Sequence, residues 1–412
     1  MHEKQKYLYI GVDLHKQHHV AVVMDCWQQK VDEIKFENKP AAFSTFLLAV
    51  YQQVEDDLTP IFGLEDVGGY GRALAKYLTD HAQIVKEVNP ALSYAERKSH
   101  MTTQKSDSWD AECVARILVN RLDQLPDVIP DDLYWSIQQL VTRRNGLVKA
   151  QGASKNQLHV QLSHHYPSYK KFFSEIDGKT ALAFWERYPS PACLEGLTLQ
   201  QLTTFLLEAS RNTCSVKKAS DILKRVQEDG NTIKGHQETQ HFLIRSIVRD
   251  ISFKKQEMRM IEQELKGLMS LLDIQLETMP GIDLVTASAF IAEIGDIRRF
   301  PNASKLARFA GIAPVFFGSG GKGREQKSKQ GNRALHTLFY NLAVQQVQVA
   351  KGSKRPRNPV FHAYYQQKLK EGKTKGQALV CIMRRLVNII YGMMKHKTAY
   401  ELPIIKEEKE VV

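Results

Sequence analysis

The sequence predicts an α/β domain at the N-terminus, a helical middle region with a coiled coil, and a mostly α-helical C-terminal domain. Three observations lead to this prediction. Short apolar runs alternate with amphipathic segments over residues 7–122, as in a sheet with crossover helices. Apolar residues then recur at spacings of three and four over residues 241–272. All of the net positive charge falls after residue 272.

The order of the N-terminal elements selects a topology. The apolar runs predict strands at 7–13, 20–24, 31–36, 61–65 and 84–88, and the amphipathic segments predict helices at 41–54, 70–79 and 107–122. Three strands, a helix, a strand, a helix, a strand and a helix form the order of a ribonuclease-H-like domain. In such a sheet the first and fourth strands are neighbours.

The charge distribution predicts a phosphate-facing C-terminal third. Residues 273–412 contain 23 Lys and Arg against 11 Asp and Glu, which is the whole net charge of +12. A solubilising basic tail is the alternative, but aromatic residues throughout this region favour a folded, nucleic-acid-binding domain. These aromatic residues are Phe316, Phe317, Tyr340, Tyr364, Tyr365 and Tyr391.

Other features of the composition exclude several protein classes. The five cysteines form no CxxC pair, so we expect reduced thiols and neither a disulfide framework nor a zinc site. No apolar run of about 18 residues predicts a membrane span. The N-terminus lacks the pattern of a signal peptide. We therefore expect a cytoplasmic protein that is associated with the nucleoid when bound to DNA.

The middle region is predicted to be helical. A helix is expected over 132–168, and residues 169–235 are interpreted as an insertion to which the sequence assigns no role. The stripe over 241–272 is broken only at Lys254 and predicts a coiled coil with the 132–168 helix, with a second protomer, or with both. A long amphipathic helix packed within one chain is the alternative. The stripe consists of Ile244, Ile247, Ile251, Met258, Ile261, Leu265, Leu268 and Leu272.

Four carboxylates stand on the predicted elements in a pattern that favours a metal site. Asp13 and Glu65 end the first and fourth strands, and Asp107 and Asp110 share one side of a helix start. Clustered carboxylates repel one another unless Mg²⁺ or Mn²⁺ neutralises them, and such ions serve attack on phosphodiesters.

Structural explanations also exist for three of these acids and for the neighbouring Asp66. Asp107 and Asp110 could favour a helix dipole, and Asp13 and Asp66 could be turn residues. The nearby His15, His18 and His19 are interpreted as an exposed strand edge and are not included in the site.

A glycine-rich basic stretch contains a candidate nucleophile, Ser319. Glycines on both sides would allow a close approach to phosphate, and a serine among cations could attack a phosphodiester. Chemistry alone favours the alternative, a flexible glycine loop that only contacts the DNA backbone, and Ser328 is a second candidate. The predicted nucleic-acid-binding cations are Lys322, Arg324, Lys327, Lys329 and Arg333, with Arg384 and Arg385 on the last helix.

Several motifs resemble one known family. The matching stretches are Tyr9–Asp13, Leu64-Glu65 with Gly69-Tyr70, Val88–Leu92, Lys105–Ala111, Met279–Ile282, Ile294–Phe300, Phe309–Pro314, Ser319-Gly320 and Ser328–Asn332. Together they resemble the insertion-sequence transposases with a DEDD, RuvC-like N-terminal domain and a C-terminal serine transposase domain, the bridge-RNA-guided recombinases. The resemblance covers both ends of the chain and leaves out 169–235.

The resemblance implies roles that the residues alone leave open. Asp13, Glu65, Asp107 and Asp110 would be the catalytic metal-binding tetrad, and Ser319 rather than Ser328 would be the nucleophile. It also implies a serine–phosphodiester intermediate, target and donor DNA as partners, and a structured non-coding guide RNA. The family's active site is composed from two protomers, which implies a homo-oligomer: a dimer, and a tetramer in the synaptic complex.

The element and charge patterns, together with the resemblance at both ends of the chain, predict domain boundaries. These are a RuvC-like DEDD domain at 1–128, a helical and coiled-coil region at 129–272, a basic serine transposase domain at 273–405 and a charged tail at 406–412. Two positions depart from the family pattern, namely Asp283, where a second glycine is usual, and Gly318, where relatives can carry an acid.

Two further functions compete with recombination. In a metal-dependent RuvC-like nuclease or Holliday-junction resolvase, the carboxylates would cut and the serine loop would only bind DNA. A non-enzymatic architectural protein is disfavoured, because clustered acids would repel phosphate without serving a purpose.

Overall fold

The structure is a computed structural model that describes residues 3–54, 57–65, 69–100, 106–130, 132–230, 235–319, 322–326, 328 and 330–402. The chain divides into two compact units. The first unit joins Met1–Ser136 to Ile291–Thr398, and the second is built on Ile137–Phe290. The first unit thus contains both the N-terminal carboxylates and the basic C-terminal segment.

A five-stranded mixed sheet forms the N-terminal part of the first unit. Its elements are β1 (Tyr7–Leu14), β2 (His18–Met24), β3 (Lys30–Glu37), α1 (Pro40–Tyr51), β4 (Thr59–Glu65), α2 (Arg72–Asp80), β5 (Ile84–Val88), α3 (Pro90–Ser99) and α4 (Asp107–Arg121). The strand order is β3-β2-β1-β4-β5. Strand β2 is antiparallel to β1 and β3, whereas β4 is parallel to β1 and β5. The predicted neighbourhood of the first and fourth strands is confirmed.

Helix α3 is an element that the sequence reasoning missed. No helix was predicted between the strand at 84–88 and the helix at 107–122. In the structure the Asn89 side chain accepts a hydrogen bond from the Ala91 amide at 2.8 Å, and Pro90 is the first helical residue. An asparagine cap followed by proline is a helix start, because proline loses no intrahelical hydrogen bond there.

Helices cover both faces of the sheet. Leu8, Ile10 and Val12 of β1 belong to a core shared with α1 and α2, whereas Tyr9 belongs to a core shared with α4. The alternation of side chains along a strand produces this division. Strand β1 is therefore buried on both faces, which fixes the positions of the residues at its end.

Gly11 allows α4 to approach β1. A Cβ atom at Gly11 would lie 2.2 Å from the Ala111 carbonyl oxygen and 2.3 Å from the Ala115 amide nitrogen. Both atoms are backbone atoms of α4, so only movement of the helix could relieve the clash. Since α4 carries Asp107 and Asp110, the close packing at Gly11 also positions these two acids.

We expect Gly11→Ala to lower the free energy of unfolding by about 3 kcal/mol, because overpacking would force α4 from the sheet. Gly146→Ala is the control. Gly146 lies in the helix Asp132–His165, and no atom of a neighbouring segment lies within 4 Å of the position that its Cβ atom would take. The control should raise stability by about 1 kcal/mol, since alanine favours a helix. Urea denaturation of both variants measures these effects, and an unchanged midpoint for Gly11→Ala would contradict the close packing.

The second unit consists of long helices and a smaller helical core. Its helices are α5 (Asp132–His165), α6 (Lys179–Arg187), α7 (Leu199–Ser210), α8 (Val216–Asp229) and α9 (Gln237–Ser270). Arg144 of α5 contacts Glu262 of α9 at 2.8 Å, and Ser154 of α5 donates to Asp250 of α9 at 2.6 Å. From the first pair to the second, the residue number rises along α5 and falls along α9. The two helices are therefore antiparallel neighbours within one chain. A coiled coil with a second protomer stays a prediction.

Most of the predicted apolar stripe on α9 is buried, including Ile244, Ile251 and Leu265. At the break in the stripe, the Lys254 ammonium donates to Asp250 and lies 3.3 Å from the Ser154 hydroxyl, so a polar contact replaces an apolar one. The segment interpreted as an insertion forms α6, α7 and α8. Its apolar side chains, such as Trp185, pack against the ends of α5 and α9.

The C-terminal part of the first unit is mostly helical. Its elements follow α10 (Leu284–Ile294), which spans the division between the units, and are α11 (Ala303–Phe309), β6 (Val315–Ser319), β7 (Lys322–Gln326), α12 (Arg333–Val347), α13 (Pro359–Lys370) and α14 (Lys375–His396). Arg299 lies 3.3 Å from Glu87 of β5, which connects this part to the sheet. The predicted charged tail at 406–412 lies outside the described residues.

Among the described residues, α14 alone is long and apolar enough to cross a membrane by length and composition. Its apolar residues, including Ile382, Leu386 and Ile390, are buried in the first unit. A buried core helix of this kind passes the same test, so the helix is weak evidence for a span.

The basic glycine-rich stretch was expected to be a loop, and this expectation is wrong. Strands β6 and β7 pair antiparallel from Val315–Gln326 to Ser319–Lys322. A Cβ atom at Gly323 would lie 2.1 Å from the Phe316 ring, and one at Gly318 would lie 2.7 Å from it. The two glycines therefore face each other across the hairpin beneath an aromatic ring, and they allow close pairing rather than disorder.

Candidate functional site

The ends of two neighbouring strands bring the first two carboxylates together. Strands β1 and β4 pair in parallel register up to Val12 and Leu64. Asp13 and Glu65 each follow that pair by one residue, so they stand at the same edge of the sheet. Side chains at this edge lie near the start of α4, because α4 packs directly on β1 at Gly11.

Helix α4 begins at the site and supplies the other two carboxylates. Ser106 caps the helix by accepting a hydrogen bond from the Trp109 amide at 3.2 Å. Asp107 is the first helical residue and is half-exposed, with 48% of its side chain accessible, whereas Asp110 is buried. The Ser cap thus sets the helix start that presents one acid towards solvent and one towards the sheet.

An imidazole lies between two of the carboxylates. His15 Nε2 is 2.9 Å from Asp13 Oδ2 and 3.2 Å from Asp107 Oδ1. His18 Nε2 lies farther out, at 3.7 Å from Asp107 Oδ2. The first and third carboxylates of the predicted tetrad are therefore connected through His15.

A guanidinium lies beside the other two carboxylates. Arg97 Nη1 of α3 is 3.1 Å from Asp110 Oδ1, and its positive charge also acts on Glu65. Asp110 Oδ1 is buried and receives no hydrogen bond within the described residues. This oxygen retains the capacity to bind a cation or a donor, which is costly to leave unused in a buried group.

The electrostatics of the site oppose ionisation of the Asp13 and Glu65 carboxyls. Burial raises the pKa of Asp13, and the charges of Asp110 and Asp107 add to this effect, while His15 opposes it. Burial likewise raises the pKa of Glu65, with Asp13 and Asp110 adding to the increase and Ser93 and Arg97 opposing it. Groups with such mutual repulsion gain stability when a divalent cation binds among them.

The interpretation of the histidines as an exposed edge is wrong. Strand β2 lies between β1 and β3 rather than at the edge of the sheet. His19 is completely buried beside the Phe36 ring, and burial lowers its pKa to about 4. His15 directly follows β1, and His18 is the first residue of β2. Both side chains face Asp107. Alternation along a strand does not predict the contact between His15 and Asp107, because the direction of the His15 side chain depends on the turn between β1 and β2.

Sequence reasoning therefore missed His15 and Arg97. The local signal for Arg97 was the Asn89-Pro90 helix start, which places α3 before α4. No local signal predicts that its guanidinium reaches Asp110, since these residues belong to different helices. Asp66, which was considered as a turn residue, lies outside the described residues.

Ser319 is the last residue of β6 and pairs in backbone register with Lys322 of β7. Ser328, the second candidate, donates a hydrogen bond to the Gln330 carbonyl at 2.9 Å and accepts one from the Gln330 amide at 3.2 Å. The Ser328 hydroxyl thus stabilises a local turn.

The predicted nucleic-acid-binding cations occupy different environments. Lys322 and Arg324 are residues of β7. Arg333 is exposed at the start of α12. Arg384 Nη2 donates to the Ser304 hydroxyl at 2.8 Å, and the Arg385 guanidinium lies 3.5 Å from the centre of the Tyr364 ring. The structure thus gives Arg384 and Arg385 intramolecular contacts. Lys327 and Lys329 lie outside the described residues.

Two family models match this chain. A transposase model of the DEDD IS110 type matches residues 10–167, and the model described as transposase IS116/IS110/IS902 family matches residues 274–366. The first match contains all four carboxylates, and the second contains Ser319. Residues 168–273, which contain α6, α7, α8 and α9, lie between the two matches.

Several curated proteins are similar over nearly the whole chain. The insertion element IS116 uncharacterized 44.8 kDa protein of Streptomyces clavuligerus is 24% identical over 95% of this chain and 96% of its own length. The mini-circle putative transposase for IS117 of Streptomyces coelicolor is 22% identical over 96% of this chain and 95% of its own. A pilin gene-inverting protein of Moraxella bovis is 32% identical over 31% of this chain and 38% of its own. The first two similarities extend across both units, whereas the third is confined to one part of the chain.

Proposed function

The chain belongs to the IS116/IS110/IS902 family of transposases, which cleave and rejoin DNA, and from this premise we propose that it recombines DNA through a serine–phosphodiester intermediate assisted by a carboxylate metal centre. The observation that supports the proposal most is the convergence of Asp13, Glu65, Asp107 and Asp110. We assign the N-terminal sheet to the RuvC-like fold, because its strand order and the position of its acids agree with that assignment.

The four carboxylates fit a hard divalent cation. Their oxygens are the ligands that Mg²⁺ and Mn²⁺ prefer, and the buried Asp110 Oδ1 lacks a hydrogen bond within the described residues. When bound, Mg²⁺, or Mn²⁺ in its place, would polarise a phosphodiester and stabilise charge on its oxygens. Asp13, Glu65, Asp107 and Asp110 would hold the ion, while Arg97 would keep Asp110 oriented.

Ser319 is proposed as the nucleophile. Its Oγ would attack the phosphorus and form a Ser–O–P bond, while the bond from phosphorus to one deoxyribose oxygen breaks. The serine proton would be transferred to that leaving oxygen. A hydroxyl of the second DNA duplex would then attack the same phosphorus and release Ser319, so each phosphodiester is conserved without an external energy source.

We further propose that a structured non-coding RNA specifies target and donor DNA, and that the active complex is a homo-oligomer. The basic segment after residue 272 supports the first part, because +12 charges suit contact with nucleic-acid backbones, whereas the homo-oligomer is proposed from the resemblance to a family whose active site is composed from two protomers. Base pairing would read the sequence while the protein reads shape. The boundaries at 128, 272 and 405 stay part of this proposal.

A covalent-trapping assay tests the proposed function. Full-length protein would be combined with labelled target and donor DNA, Mg²⁺ and RNA transcribed from the sequence flanking the gene. We expect a detergent-resistant protein–DNA adduct that requires metal, together with a rejoined product. Metal-dependent cutting without an adduct would instead favour the nuclease, in which the hairpin only binds DNA.

The hairpin cations give a separate prediction about DNA binding. We expect Lys322→Ala and Arg324→Ala each to weaken DNA association and to reduce its salt dependence by about one counterion. Lys217→Ala, which removes an exposed cation from α8, is the control and should leave the salt dependence unchanged. Fluorescence anisotropy at several salt concentrations measures both quantities. An unaltered slope for both hairpin variants would show that neither residue contacts phosphate.

A further inference from the structure

We propose that His15 is itself a ligand of the metal centre, which gives the site a mixed nitrogen and oxygen donor set and a preference for Mn²⁺ over Mg²⁺. This inference rests on the proposed carboxylate metal centre. It adds a residue that lies outside the four acids and that sequence reasoning had excluded.

The first argument is the geometry of the donor atoms. One potential ligand atom from each of Asp13, His15 and Asp107 lies within 4.8 Å of the other two. His15 Nε2 is 2.9 Å from the Asp13 oxygen and 3.2 Å from the Asp107 oxygen. Adjacent ligands of an octahedral ion with bonds of about 2.1 Å lie about 3 Å apart. His15 Nε2 therefore has the spacing of a neighbouring ligand to each of the two carboxylate oxygens.

The second argument is that the backbone holds His15 in place. The His15 amide donates to Nδ1 of the buried His19 at 3.2 Å, and the Asn38 side chain donates to the His15 carbonyl at 3.3 Å. His19 is in turn packed against Phe36. These contacts hold the backbone from which the His15 ring projects, so the ring loses less freedom when it binds an ion.

The third argument is that the cluster contains a buried group with unused capacity. Asp110 is only 8% exposed, and its Oδ1 receives no hydrogen bond within the described residues. Its charge raises the pKa of Asp13, the carboxyl that His15 contacts. Arg97 compensates part of the negative charge of the acids, and a cation between His15 and the acids would reduce the repulsion that remains.

The donor set determines which metal is favoured. Carboxylate oxygens bind Mg²⁺ and Mn²⁺ alike, whereas an imidazole nitrogen favours transition ions over Mg²⁺. His18 is a poorer candidate for a ligand, because its Nε2 is 3.7 Å from Asp107 and no other acid of the site contacts it among the described ion pairs. His18 therefore provides a matched control at the same surface.

The test measures metal binding by the full-length protein in the absence of DNA. Electron paramagnetic resonance would measure Mn²⁺ affinity, and pulsed electron paramagnetic resonance would detect coupling of Mn²⁺ to ¹⁴N. Mg²⁺ affinity would be measured by its competition with Mn²⁺ for the site. We expect the unmodified protein to show coupling to an imidazole nitrogen. His15→Ala and His15→Gln should lose this coupling and weaken Mn²⁺ binding about tenfold, with less than about a twofold change for Mg²⁺. His18→Ala should retain the coupling.

The outcomes separate this inference from the proposed function. If the unmodified protein binds Mn²⁺ in a manner that Asp13→Asn abolishes, but shows no nitrogen coupling, then the metal centre stands and His15 is not a ligand. Coupling that persists in both His15 variants leads to the same conclusion. If neither the unmodified protein nor Asp13→Asn binds Mn²⁺, both the inference and the proposed metal centre are wrong.

Discussion

Asp13→Asn is expected to abolish DNA cleavage and joining, with a decrease of at least about 100-fold, while the protein stays as stable as before. Activity should be lost because the variant lacks one carboxylate ligand of the proposed metal centre. Stability should be retained because burial and the charges of Asp110 and Asp107 raise the pKa of Asp13, so ionised Asp13 lowers the stability of the metal-free protein. Asparagine keeps the shape and removes that repulsion. The variant should therefore match or exceed the unfolding midpoint of the metal-free parent protein.

The measurement combines strand-transfer assays with thermal unfolding in a chelator and then in Mg²⁺ or Mn²⁺. The parent protein should gain stability from metal, by about 2.7 kcal/mol at a metal concentration 100-fold above the dissociation constant. Asp13→Asn should gain much less. Asp80→Asn, at an exposed acid of α2, is the control and should behave like the parent protein. Normal recombination by Asp13→Asn would contradict the carboxylate centre, and a large loss of stability would give Asp13 a structural role.

Ser319→Ala is expected to remove the covalent adduct and to lower recombination by at least about 10³-fold, because no other group would replace the attacking oxygen. The carboxylates are unchanged in this variant, so its metal-dependent stabilisation should equal that of the parent protein. Gel detection of detergent-resistant labelled DNA measures the adduct. Sequencing of the products measures recombination.

Ser328→Ala is the matched control for Ser319→Ala. It removes a second serine hydroxyl from the same basic stretch, but one whose hydrogen bonds with Gln330 account for its position. We expect the adduct to persist in the control. An adduct that survives in Ser319→Ala and disappears in Ser328→Ala would reverse the assignment. Cutting that survives in Ser319→Ala, without any adduct, would favour the nuclease.

Local signals were sufficient for much of the fold. The apolar runs predicted all five strands of the N-terminal sheet, since alternation and turn residues act within a few positions along the chain. They also predicted α4, whose Ser106 cap and acidic first turn lie in one short stretch. The neighbourhood of the first and fourth strands followed from the predicted ribonuclease-H-like order and is confirmed.

Local signals failed where a second segment decides the structure. The stretch after Pro314 is rich in glycine, which predicted a loop. In the structure β6 and β7 pair as a hairpin, and the Phe316 ring lies over Gly318 and Gly323. Similarly, the stripe on α9 could have faced several partners. Contacts such as Arg144–Glu262 show that α5 is one of them.

By itself, the sequence determined the elements on which the four carboxylates Asp13, Glu65, Asp107 and Asp110 lie. An acid at the end of each of two buried strands, and two acids at a capped helix start, are local patterns whose meaning depends on few neighbours. Only the tertiary structure decided that His15 lies between Asp13 and Asp107, and that Arg97 reaches Asp110. The reason is physical: such contacts require separate segments to meet within about 3 Å, and their positions depend on the packing of the whole unit.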